Sequence, residues 1–317
     1  MKISVAMTCY NGSKYLTEQL DSLRLQSRKI DEVRIIDDNS TDDSQILIKE
    51  YIKNHNLSDW VITSNPENLG WKKNFHKAIL QTSGDIVFFC DQDDIWHDNK
   101  IELMVNTLIK KPDIKVLACR LNLIDSYGNS LPKMHDRFPF DSKNTSKVIK
   151  NTVDSKFMYT ISPGCTLAVK RELITKLYKE EVSKDLAHDG LFWKIGTCMD
   201  CAFVLDEALI DYRIHANNAS NPSAALKWST KTTEKRISEV NSYIEMLTIV
   251  RTITTSLNVK SDYLELIDRE IDHLENRRRW LSNKKIFPIF GFALKNYRFY
   301  RNYKMILGDI FAKLKKT

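Results

Sequence analysis

The chain lacks any run of eighteen or more apolar residues, so no segment reads as a membrane span. No secretory leader is expected either, since Met1-Lys2 runs straight into Ile3-Ser4-Val5-Ala6-Met7, a strand-length segment with no cleavage site. The six cysteines are scattered, several inside apolar strand-like runs. Cys198 and Cys201 form a lone C-x-x-C with no second pair for zinc and no redox context. Reduced thiols in a cytoplasmic protein are therefore expected. There is no internal repeat and no low-complexity linker. No Gly-x-Gly-x-x-Gly loop follows the first strand, where Gly12 stands alone, which counts against a dinucleotide enzyme such as an epimerase. A nucleotidyltransferase would want a glycine- and basic-rich first loop, and that is missing too.

What remains is 317 residues with 42% hydrophobic content, enough for one large α/β domain plus an appendage, or for two domains. The net charge of +7 is uneven. From Arg277 to Thr317 there are twelve Lys or Arg against Asp309 alone, while the rest carries 36 basic and 40 acidic residues. The basic character belongs to the tail.

The first half alternates strand and helix. Ile3–Cys9, Val33–Ile36, Trp60–Thr63, Ile86–Cys90 and Val116–Ala118 read as strands. Lys14–Gln26, a helix capped by Ser40-Thr41-Asp42-Asp43, Lys72–Gln81 and Ile101–Ile109 alternate with them. Such order predicts an α/β fold, a mostly parallel sheet with helices on both faces. Residues 125–160 are polar and read as loops covering a site. Gly164–Val169 reads as a strand, followed by a helix from Arg171. From Lys227 to Leu281 the spacing is helical, with a joint near Asn258. A catalytic domain over 1–220 and a helical region over 221–317 are expected.

The fourth strand ends in Asp91-Gln92-Asp93-Asp94. Three carboxylates after a buried strand suit a divalent cation at the C-terminal sheet edge, where α/β folds place ligands. Oxygen donors favour Mg²⁺ or Mn²⁺, bound through one or two carboxylates and substrate phosphates. A solvated acidic turn before the next helix is the plainer alternative. Three more polar turns fall at the same edge: Thr8-Cys9-Tyr10-Asn11-Gly12, Asp37-Asp38-Asn39-Ser40, and Asn65 to Trp71 followed by Lys72-Lys73-Asn74. A carboxylate in the second could accept from a pyrimidine base while Tyr10 packs on its ring, and the lysines could meet a diphosphate.

Together, Thr8-Cys9-Tyr10-Asn11-Gly12, Asp37-Asp38-Asn39-Ser40-Thr41-Asp42, Asn68-Leu69-Gly70 and Asp91-Gln92-Asp93-Asp94-Ile95-Trp96 resemble the ordered motifs of glycosyltransferase family 2. The resemblance extends to about Asn218 and implies the GT-A fold and inverting transfer from a nucleotide-diphosphate sugar. The last motif is most similar to bacterial rhamnosyltransferases of polysaccharide assembly. By this resemblance Thr8, Tyr10, Asn11, Asp38, Asn68, Lys73 and Asp91 would hold the nucleotide, dTDP- or UDP-linked. Asp93, with Asp91, would bind the metal. The catalytic base is usually the acid of a Glu-Asp pair opening a helix. Here the segment is His188-Asp189-Gly190, a departure that leaves Asp189 as the base, the alternative being a cap on the helix Gly190–Ile195. Trp96, Gly164, Cys165, Thr166, His188 and Arg213 would face donor or acceptor sugar. Gly164 would allow close approach, and Arg213 would reach the diphosphate. His215 would be a further metal ligand, shifting preference toward Mn²⁺.

The tail interleaves aromatics with its basic residues: Trp280, Phe287, Phe290, Phe292, Tyr297, Phe299, Tyr300, Tyr303 and Phe311. An anionic membrane surface is the expected partner, because an enzyme of surface-polysaccharide assembly would meet a glycan or polyprenyl-linked acceptor at the inner face of the membrane. Nucleic acid competes and is set aside. A packed helix pair or a homo-oligomer contact is a third reading. The chief functional alternative is a non-catalytic nucleotide- or carbohydrate-binding protein on the same fold.

Overall fold

The computed structural model describes residues 1–132, 145–155, 157–179, 186–218, 232–283 and 296–314. The expected helix start at Lys227 and the tail aromatics Phe287, Phe290 and Phe292 lie outside these residues, as do 133–144 of the expected loop region. The chain forms two compact units. The first comprises Met1–Asn151, Ser162–Gly196 and Asp200–Ala219, and the second comprises Thr152–Ile161, Thr197–Met199 and Ser220–Thr317. The sequence places a single break at residue 220, whereas the chain passes between the units several times.

The first unit is built on one sheet. β1 (Ile3–Cys9), β2 (Glu32–Asp37), β3 (Trp60–Ser64) and β4 (Ile86–Cys90) pair in parallel in the order β3-β2-β1-β4. β5 (Ile95–Trp96), β6 (Val116–Ile124), β7 (Ser130–Leu131), β8 (Val148–Lys150), β9 (Leu167–Lys170) and β10 (Ala202–Arg213) complete it, the order continuing β9-β6-β10-β5. β6 and β10 are parallel, but β9 runs antiparallel between β4 and β6. The sheet is thus mixed, with a parallel majority among its long strands. Gly164–Thr166 form a 3-10 turn before β9, not the start of the strand.

Helices α1 (Ser13–Arg24), α2 (Ser44–Asn54), α3 (Trp71–Gln81), α4 (Lys100–Lys110), α5 (Arg171–Lys179) and α6 (His188–Cys198) cover both faces. Every residue of β1 and β4 is buried, as a strand covered on both sides requires. Side chains alternate across the sheet. Ile3, Val5, Met7, Ile86, Phe88 and Cys90 join Leu16 and Leu20 of α1, Ile48 of α2 and Met104 of α4 in one cluster. On the other face, Phe89 packs against Phe192 of α6.

β6 extends six residues past the predicted end, and β10 has no apolar alternation to announce it. Charged residues hide both strands. Arg120 and Asp206 pair at 2.9 Å inside the sheet, and Asn122 and His97 both bond Asp211, at 3.0 and 2.9 Å.

Glu32 is a polar knot at the edge opposite the site. Its carboxylate accepts from Ser4 Oγ (2.5 Å), from the backbone N–H groups of Ser83 and Gly84, and from Lys2 and Arg34. Burial would raise its pKa, but the Ser4, Ser83 and Lys2 hydrogen bonds outweigh it and hold the group at about 2. Glu32→Ala is expected to cost about 1–3 kcal/mol, because it leaves the Ser4 hydroxyl and the Ser83 N–H without their acceptor; urea denaturation checks this. A depressed carboxylate stabilises the fold fully above its unfolded pKa, near 4.5. That contribution is lost as pH falls toward 2, so the mutant's deficit should shrink in acid.

In the second unit α7 (Thr233–Ser256) and α8 (Ser261–Ser282) turn at Asn258, which adopts φ 52°. α9 (Tyr303–Leu314) carries the fully buried Asp309, which accepts from Arg236 at 3.0 Å and from Arg277 at 2.7 and 2.9 Å. Arg277, Trp280 and Tyr300 are buried here. For these three tail residues the packed-helix reading holds, and none is available to a membrane.

Candidate active site

The parallel strands β1, β2 and β4 end together, and their following turns meet at that edge. The acidic turn is tied in from two sides. β5 pairs antiparallel with Ile210 and Asp211 of β10, bringing residues 213–218 back beside it. The Arg213 backbone N–H donates to Asp94 Oδ1 at 3.0 Å, and its Nε donates to the Asp93 carbonyl at 2.8 Å. Beyond the strand, His215 Nε2 lies 2.8 Å from Asp93 Oδ2, its ring stacked 5.0 Å from Tyr15.

The three carboxylates differ. Asp91 is half-buried, Asp93 nearly buried and Asp94 fully buried. Burial raises Asp91 and Asp94, and Asp93 raises each further by like-charge repulsion. Asp189, from the first turn of α6, also acts on Asp91. A residue 98 positions later in sequence thus stands within electrostatic reach of the turn. Asp189 is itself pushed up to about 6 by burial, against the Gly190 N–H (2.7 Å) and the charges of Lys194 and Lys72.

The donor set fits a hard divalent cation. Asp91, Asp94 and Cys165 place one ligand atom each within 4.8 Å of one another. Burial and the nearby Asp94 and Asp91 keep the Cys165 thiol protonated, which makes it a poor ligand for such an ion. Asp94 Oδ2 is buried without a hydrogen-bond partner among the described residues. The remaining candidate ligands are the half-buried Asp91 and the Asp93–His215 pair.

Beside the turn lies a cavity of about 500 Å³, lined by Tyr10, Asn11, Gly12, Lys14, Tyr15, Gln92, Ser126, His215, Ala216 and Asn217. Its size suits a small-molecule ligand. Tyr10 is 47% exposed there, as a base-stacking ring requires. Lys14 also lines it and reaches over Tyr15 at 4.8 Å. Sequence reasoning missed Lys14, because a lysine in the first turn of an amphipathic helix reads as a solvated face.

Several of the expected contact residues also make structural contacts within the chain. Asp38 is buried; its carboxylate accepts from Asn65 Nδ2 (2.7 Å) and from the Leu69 and Gly70 N–H groups (2.8 and 2.9 Å). It shapes the third turn. Asn68 supports the same turn, donating to the Asp38 carbonyl at 3.1 Å. Arg213 is 1% exposed, and its guanidinium bonds Glu18 and lies 4.7 Å over Tyr15, so it braces the turn. Trp96 is buried against Phe88, with the Lys100 ammonium 3.4 Å over its ring. Lys100 itself is sealed beneath the turn, donating to the Cys165 carbonyl at 2.6 Å.

Gly164, Cys165 and Thr166 are buried as well. The space beside Gly164 holds His188: a Cβ there would meet Nε2 at 2.4 Å. His188 stacks on Phe75 at 3.9 Å, and burial, with His76 nearby, holds its pKa well below the usual range. Thr8 is largely buried at the end of β1, and Lys73 is exposed on the first turn of α3.

Comparison with known proteins agrees with this geometry. Residues 4–174 match the family model described as Glycosyl transferase family 2. An uncharacterized glycosyltransferase of Nostoc sp. is 28% identical over 77% of this chain and 74% of its own length. The dTDP-rhamnosyl transferase RfbG of Shigella flexneri is 25% identical over 70% of this chain and 75% of its own. Among solved structures, Staphylococcus aureus TarS 1–349 in complex with UDP superposes with a TM-score of 0.61 at 19% identity, over 100% of this chain and 91% of that one. The mannosyltransferase PcManGT of Pyrobaculum calidifontis, in complex with GDP-Man and Mn2+, gives 0.59 at 18% identity, over 99% and 86%. These two share the GT-A fold, and with more than half its length matched, this chain belongs to glycosyl transferase family 2.

Proposed function

We propose that the protein transfers a hexose from a nucleoside-diphosphate donor, UDP- or dTDP-linked, to a hydroxyl of a glycan or lipid-linked acceptor, with inversion and with Mn²⁺ or Mg²⁺. The observation that carries this is a cavity of nucleotide size lined by Tyr10, Lys14, Gln92 and His215, with His215 bonded to Asp93 of the acidic turn and Asp189 within electrostatic reach of Asp91. Asp91, Asp93 and His215 would hold the cation, and a cation there would neutralise the leaving diphosphate. Tyr10 offers a face for the base and Lys14 a charge for the phosphates. Asp189 takes the acceptor hydroxyl proton as the new C–O bond forms opposite the departing diphosphate. His188 is buried and stacked on Phe75, away from solvent, which supports Asp189 as the base despite the missing glutamate.

Rhamnose is the sugar favoured by the Asp-Gln-Asp-Asp-Ile-Trp motif and by the likeness to RfbG. The tail would attach the enzyme to an anionic membrane surface. No helix among the described residues is long and apolar enough to cross a membrane, but Tyr303 and Leu307 of α9 are exposed beside basic residues. A panel of UDP-, dTDP- and GDP-sugars, with Mn²⁺ or with EDTA, tests the proposal by nucleotide release. Release from one donor class, abolished by EDTA, is expected. Binding without release or transfer for any donor would favour the non-catalytic alternative.

A further inference from the structure

We infer that Gln92 is a positioning residue whose carboxamide clamps the acidic turn to the nucleotide-side loop, so that the cation face and the base face of the pocket are set as one piece; this rests on reading the cavity as the donor site. β1 and β4 pair in register only as far as Met7 and Cys90. Past that point the chains diverge, and β1 stays with β2 through Cys9 and Asp37. Gln92 bridges the gap. The Tyr10 N–H donates to its Oε1 at 2.7 Å, and its Nε2 donates back to the Tyr10 carbonyl at 3.1 Å. Among the described residues, these two bonds are the hydrogen bonds joining segments 8–12 and 91–94.

The clamp accounts for two sequence choices. A Cβ on residue 12 would sit 2.3 Å from Gln92 Oε1, so Gly12 is what admits the amide. Its backbone φ is −107°, so the space and not the conformation demands glycine. A side chain that donates and accepts at once is required, which Glu, Leu or Met cannot supply at neutral pH. The other flank of the loop is fixed by β2: the Asn11 N–H donates to Ser40 Oγ at 2.9 Å, and Asn11 Oδ1 accepts from the Thr41 N–H at 2.8 Å. Tyr10 is thus held from both sides while its ring stays exposed to the cavity.

The test is calorimetric binding of UDP and dTDP to wild type, Gln92→Met, Gln92→Glu and Gly12→Ala, each with Mn²⁺ and with EDTA, alongside steady-state kinetics on the preferred donor. All three variants should weaken nucleotide binding about tenfold, the equivalent of ~1.4 kcal/mol, with and without metal. Donor KM should rise in step while kcat changes less than about threefold, and melting should stay within a few degrees of wild type. A purely structural role would lower the melting temperature and leave the KM-to-kcat split unmoved. Wild-type nucleotide affinity in the variants overturns the inference, as does a defect that vanishes in EDTA or falls on kcat alone. Failure of wild type to bind either nucleotide overturns the donor-site reading itself, and the inference with it.

Discussion

Asp189→Asn is expected to lower transfer by about 10²–10⁴-fold, the usual contribution of a positioned general base, while nucleotide affinity and melting temperature stay near wild type. The substitution is isosteric, and one oxygen can still accept from the Gly190 N–H. What it removes is the site for the acceptor's proton. The same residue fixes the pH dependence. Burial pushes its carboxyl up to about 6, and a base works only when ionised. The rate should therefore be constant at neutral pH and fall tenfold per pH unit below about 6. The mutant's residual rate should lack that limb. A pH profile of kcat/KM checks both. A mutant that keeps wild-type turnover and its acid limb would return Asp189 to the role of a helix cap.

Asp93→Ala is the second large loss, at least about 10²-fold in transfer. It removes one carboxylate from the proposed cation ligands and leaves His215 Nε2 without its 2.8 Å partner. The stability effect should have the opposite sign from an ordinary buried-polar deletion. Asp93 raises the pKa of both Asp91 and Asp94 by repulsion, so the metal-free mutant should melt no lower than wild type. Mn²⁺ should tighten UDP or dTDP binding to wild type and fail to do so in the mutant. Calorimetry with and without EDTA separates the two proteins, and metal-enhanced binding in Asp93→Ala would move the cation to other ligands.

Much of the fold could be read from residues. Strands β1 and β4 are continuous apolar runs, because both faces of the sheet are covered. Helices α1, α3 and α4 begin and end within two residues of the spacing-based limits. β10 could not be read, since its Asp206 and Asp211 look solvated until Arg120, His97 and Asn122 are found beside them. Of the site, the acidic turn, Tyr10 and Asp189 come from motif order. Arg213 and His188 carry structural contacts that the sequence does not announce: a charged or polar residue beside a motif reads as a ligand contact, and here each also braces the motif from behind. Arg213 ties β10 to the turn, and His188 fills the slot left by Gly164. Gln92 and Lys14 carry no pattern of their own and become visible only through their neighbours in space.

The central claim is that the carboxylates at the tip of β4 fix a cation on which the donor's diphosphate rests. Crystals grown with Mn²⁺ and UDP or dTDP, measured at the manganese absorption edge, test it directly. The account predicts one anomalous peak coordinated by Asp93 and by the diphosphate oxygens, with the base against Tyr10. An anomalous peak elsewhere, or a nucleotide bound outside the cavity beside His215, would contradict it.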